Sequence, residues 1–60
     1  MQAKYGRGDL VCIINTYDCG TILDKEYEGY DAWYWVCFIE DGYTNWIFED
    51  DLKLIQKGGL

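Results

Sequence analysis

The sequence predicts an all-β chain of five short strands with a single helical turn before the last strand, and three observations carry that expectation. The apolar runs are short. They are separated by Gly and acidic residues, with no proline among the 60 residues, which is the rhythm of a small β domain. Asp41-Gly42 stands between two such runs as a hairpin signal, because Gly accepts the positive φ that tight turns demand.

The elements follow in order. GDLVCII opens a first strand over residues 10–14, apolar throughout and therefore expected to be buried. After residues 15–18, Gly20 leads into a second strand over 21–25. The acidic stretch KEYEGYDA reads as a loop into a third strand over 33–39, and a fourth strand follows over 45–48. Glu49-Asp50-Asp51 reads as one helical turn before a last strand over 52–55. Nothing repeats, and the chain reads as one domain over residues 1–60, its core over about residues 8–55. The ends, MQAKYGR and QKGGL, are expected to fray.

The third strand lies within DAWYWVCFIED, and it raises a question of function. Successive side chains point to opposite faces of a strand, so Tyr34, Val36 and Phe38 share one face while Trp33, Trp35, Cys37 and Ile39 share the other. Both faces are apolar. One is core; the other calls for a cover or a partner. A chain this short buries only about 60% of the surface its unfolded form exposes. Three Trp, six Tyr and two Phe over-fill such an interior, since each buried aromatic removes on the order of 150–250 Å² from water. Some rings must lie at the surface.

Charge and cysteine usage narrow the function classes. Five Lys or Arg against eleven Asp or Glu, with no His, give a net charge of −6. That balance argues against nucleic acid, whose phosphates are bound by clustered Lys and Arg, and against anionic membranes; it either keeps an aromatic-rich surface in solution or expresses a preference for a cationic partner. No window approaches the 18 or more apolar residues of a membrane span. Cys12, Cys19 and Cys37 are odd in number and no secretory h-region follows Met1, so the expectation is a reduced, cytoplasmic setting in which the thiols act as small hydrophobes. Without His or a CxxC pair, zinc is not expected, nor any cofactor. Catalysis lacks a nucleophile–base pair or a ligand set, and no enzyme is expected. Arg7-Gly8-Asp9 and Gly6-x-Gly8 read as a turn feeding the first strand rather than as a recognition tripeptide or a nucleotide loop.

NWIFEDDLKLI resembles the end of SH3-like barrels, in which a strand with a buried aliphatic, a short 3₁₀ turn and a strand with a second buried aliphatic follow one another; Ile47 and Leu52 match those positions. VCFIEDGYTNW is similar to the V-x-F-x-D-G…W pattern of KOW-like and Tudor-like barrels, found among uncharacterised phage and bacterial proteins. The resemblance implies a five-stranded SH3-like barrel with Val11, Ile13, Ile22, Val36, Phe38, Ile47 and Leu52 inside and Trp35 and Cys37 outside. In SH3 domains a Trp at the start of this strand and a residue after the buried aliphatic of the next contribute to a Pro-rich peptide site, and Trp35 and Phe48 fall there. Phe48 stands where the family usually has Pro, Asp51 where it usually has Tyr, and no ALYDY-like segment is present.

The functional expectation is a non-enzymatic interaction or assembly module, with candidate binding residues Trp33, Trp35, Trp46, Phe48, Tyr30 and Tyr43. In this register Trp35 lies beside Phe48. The expected partner is a protein or peptide, in the host cytoplasm if the chain is phage-encoded. The alternatives are a homo-oligomeric structural subunit that buries the aromatic face against itself, cover of the rings by KEYEGYDA and the N-terminal arm, and a Tudor-like cage in which Tyr27, Tyr30, Tyr43 and Asp31 enclose a cationic ligand.

Overall fold

A computed structural model describes residues 3–58. Strands β1 (Leu10–Ile13), β2 (Cys19–Glu28), β3 (Asp31–Phe38), β4 (Thr44–Phe48) and β5 (Leu52–Gln56) form one antiparallel sheet, with a 3₁₀ turn at Glu49–Asp51. The order is β4-β3-β2-β1-β5. The fold is therefore all-β with one 3₁₀ turn before the last strand. Closure is the one departure: β4 and β5 are edges that do not pair, so the sheet is not sealed into a barrel. Residues 49–51 run directly from one edge to the other, and on β4 the Trp46 N–H donates to Asn45 Oδ1 at 2.9 Å rather than to a strand.

The interior matches the expected register. Val11, Ile22, Ala32, Tyr34, Val36 and Leu52 are buried together, with Ile13, Phe38 and Ile47 packed against them. Gly20 lies in this layer because a Cβ there would come within 2.4 Å of the Cys37 carbonyl oxygen and 2.7 Å of Val36 Cγ1. Cross-strand approach, rather than a turn, requires that glycine.

Two expectations are corrected along β2. KEYEGYDA is not a loop: β2 continues to Glu28 and β3 begins at Asp31, with Gly29 at φ +64° making the reversal. Lys25, Glu26, Tyr27 and Glu28 carry no apolar alternation because their own side chains are exposed even where they pair with the core residues Tyr34 and Ala32, and a bulge at Leu23 shifts the register. Nor are Cys12 and Cys19 free thiols. The β1–β2 pairing sets them opposite one another and a disulfide joins them, leaving Cys37 free. A disulfide belongs to oxidising surroundings or protected sites, so the cysteines no longer argue for a reduced compartment. No helix among the described residues is long and apolar enough to cross a membrane.

The arms are tied down where fraying was expected. Ala3 and Tyr5 pack against the core. Lys4 N–H donates to Glu49 Oε2 at 2.9 Å, Tyr5 N–H to the Tyr34 hydroxyl at 3.1 Å, and the Tyr5 hydroxyl to the Leu52 carbonyl at 3.2 Å. Asp9, also buried, accepts from Gly6 N–H at 2.9 Å and from Gly58 N–H at 2.7 Å, joining the two arms. The two outermost residues at each end lie outside the described residues.

Candidate functional site

The outer face of the sheet gathers four of the six candidate residues. Phe38 N–H bonds to the Tyr43 carbonyl at 2.8 Å, so Phe38 and Tyr43 are a hydrogen-bonded pair and the alternate positions are not. Trp35 opposite Trp46 and Trp33 opposite Phe48 therefore occupy the closer, non-hydrogen-bonded positions. Their rings meet at 5.2 Å and 5.3 Å between centroids, tilted by 49° in each pair. Such pairs contribute about 0.5–1.5 kcal/mol each beyond their area burial. Phe48 lies against Trp33 and not, as expected, against Trp35, because the four-residue turn 39–42 sets the register; Gly42 takes φ +71° there and donates to the Phe38 carbonyl.

The β2 register extends these pairs into two rows, Asp24–Trp35–Trp46 and Glu26–Trp33–Phe48, with Glu28 continuing the acidic edge. The result is an aromatic quartet bordered along one side by carboxylates. Trp33, Trp35 and Phe48 are half-buried, while Trp46, on the edge strand, is 37% exposed. A shallow pocket of about 260 Å³ opens beside them, lined by Glu26, Tyr27, Glu28, Trp33 and Trp46. Trp33 Nε1 is enclosed with no acceptor among the described residues, an unmade hydrogen bond that costs roughly 1–3 kcal/mol.

The remaining candidates lie elsewhere. Tyr30 stands 84% exposed at the β2–β3 turn. Tyr43 follows β3 at its other end, roughly 25 Å along the strand at about 3.3 Å per residue, and stacks on Phe38. Tyr30 and Tyr43 therefore cannot close one cage, and Tyr27 is engaged by the N-terminal arm, its hydroxyl accepting from Ala3 N–H at 2.9 Å. Among the described residues the arm packs through Ala3 and Tyr5 on the core side of the sheet, its concave face, opposite the Trp rings, while Glu26 and Glu28 of KEYEGYDA border the rings on the outer face. In Arg7-Gly8-Asp9 the carboxylate is enclosed by backbone N–H donors.

The concave face carries a site that the sequence reading missed apart from Tyr43. Between residues 14–18 and the 39–42 turn lies a cavity of about 580 Å³. Its apolar walls are Ile13, Phe38, Ile39, Ile47, Tyr17 and Tyr43, and its acidic rim is Asp18, Glu40 and Asp41. The readable signal was the recurrence of exposed aromatic and acidic residues in two loops that flank paired strands. Among the described residues no three His, Cys, Asp or Glu side chains are grouped to hold a metal. Against known proteins, no family model, no curated protein and no solved structure matches the chain.

Proposed function

We propose that the chain is a non-enzymatic interaction module of SH3-like kind whose outer aromatic face takes an extended protein segment bearing Lys or Arg. The observation that carries this reading is the alignment of Asp24, Glu26 and Glu28 along one border of the Trp33, Trp35, Trp46 and Phe48 rings. Aromatic faces attract Lys and Arg heads, and carboxylates beside them raise the local concentration of cations and fix their register. The 3₁₀ turn between Ile47 and Leu52 supports the SH3-like reading. The same border opposes self-association, because two copies at −6 each would bring like charges together. For the compartment, the Cys12–Cys19 bond favours an oxidising space.

The test uses two ten-residue peptides, alternating Lys–Val and alternating Glu–Val, with Trp fluorescence as the readout. The Lys–Val peptide is expected to shift the emission saturably and the Glu–Val peptide to leave it unchanged. Trp46→Ser should weaken binding about tenfold or more, as interface aromatics at hot spots do, while lowering stability by only about 1 kcal/mol. Equal responses to both peptides, or a protein whose sedimentation mass doubles and reverts to monomer with Trp46→Ser, would overturn the proposal.

A further inference from the structure

We propose that the open end of the concave face is a second binding site, separate from the Trp face, for a small organic cation with an aromatic or alkyl body. Three observations meet there. The cavity, at about 580 Å³, falls within the roughly 300–1,000 Å³ of pockets that enclose small ligands. Its mouth carries large apolar side chains left in water: Tyr17 is fully exposed, Ile39 is 67% exposed and Tyr43 59% exposed. Exposed apolar surface gathered around a concavity marks an interaction site more often than scattered residues do. Asp18 and Glu40 stand at the rim with no Lys, Arg or His in the lining, and among the described residues neither carboxylate accepts a hydrogen bond.

The chemistry of the occupant follows from those walls. An anion would meet unopposed carboxylates, and a neutral apolar body would leave them unused. A cation gains from the carboxylates and from the faces of Tyr17, Tyr43 and Phe38 together. A second copy of the chain is opposed by its net charge of −6. The site is also pre-formed: Phe38 and Tyr43 are stacked with centroids 6.5 Å apart, and residues 14–18 are closed by the Cys12–Cys19 bond, so little ordering is left for binding to do.

The experiment is a protein-observed NMR titration of the full chain with phenylethylammonium and, separately, with the similarly shaped anion 3-phenylpropanoate. For a ligand of this size the expected Kd is about 1 mM. The cation should shift the amides of residues 17–19 and 39–43 saturably, leave Trp33, Trp35 and Trp46 in place, and bind about tenfold more tightly than the anion. Tyr43→Ala should weaken the cation about fivefold while the variant stays folded in the same spectrum, since this ring packs mostly against solvent. Binding of cation and anion alike, no shifts up to about 10 mM, shifts centred on the Trp rings, or an unchanged affinity in Tyr43→Ala would each overturn the proposal.

Discussion

The concave face of the sheet is finished differently at its two ends. At one end the N-terminal arm lies over the core, and two buried carboxylates hold it: Glu49 accepts from Lys4 N–H and, at 2.6 Å, from the Tyr34 hydroxyl, while Asp9 joins Gly6 to Gly58. At the other end no arm residue among the described residues lies over Phe38 and Ile47, which line the cavity, and the adjoining loop is held by a disulfide. A sheet that does not close must cover its interior by other means. Here the arm covers one end of it, and the end left open is where a ligand has room.

The cost of losing each tie separates the two ends. Glu49→Ala is expected to have the largest effect, about 2–3 kcal/mol in urea unfolding, because it leaves the Tyr34 hydroxyl and an arm N–H without an acceptor. Tyr34 is already a poor acid there, its phenol held well above the ordinary range by burial and by the Glu49 acceptor. A loss no larger than that of an exposed Glu→Ala change would mean that the arm is not seated. At the open end the Cys12–Cys19 bond closes a short loop, worth about 2.5 kcal/mol by loop entropy, so that end draws on chain constraint instead of buried hydrogen bonds.

Asp9 supplies a smaller effect that depends on pH. The Gly58 and Gly6 N–H groups, opposed by burial and helped by Lys57, hold its carboxyl below the usual carboxylate range. A carboxyl depressed in the folded state binds its proton more readily when unfolded, so its stabilisation is complete above its ordinary pKa near 3.9 and is lost as pH falls through the folded value. Asp9→Asn should therefore be about 1–2 kcal/mol less stable than the parent at pH 7, and the gap should narrow below about pH 4. A gap that stays constant from pH 7 to about pH 2 would show that the carboxylate charge has no part in the tie.

The strands were readable where one face is core. The alternation of Tyr34, Val36 and Phe38 placed β3, and Ile47 and Leu52 bracketed the 3₁₀ turn at the expected spacing. The same alternation put Trp33 and Trp35 outward with Trp46 and Phe48 on one face, although the partners within each pair depended on a turn geometry that local chemistry left open. Residues 26–28 were not legible as strand, because all three side chains are exposed and no apolar period survives. The arm was not legible either. Its residues are ordinary tail residues, and what seats them are Glu49 and Asp9, acids that read as turn residues until backbone donors 45 and 49 positions away are brought to them. An odd cysteine count hid the disulfide, though two cysteines seven apart flanking a turn were its signal.

Native-state hydrogen exchange, read residue by residue, tests most directly whether one end is closed and the other open. The amides of Lys4, Tyr5, Gly6 and Gly58 donate to Glu49, Tyr34 and Asp9. They should exchange about 100-fold or more slowly than an unstructured peptide, alongside the core strands, while the amides of Tyr17 and Glu40 at the open mouth exchange near the unprotected rate. Unprotected exchange at residues 4, 5, 6 and 58 with the sheet itself protected would contradict the account, leaving both arms frayed and both ends of the concave face open.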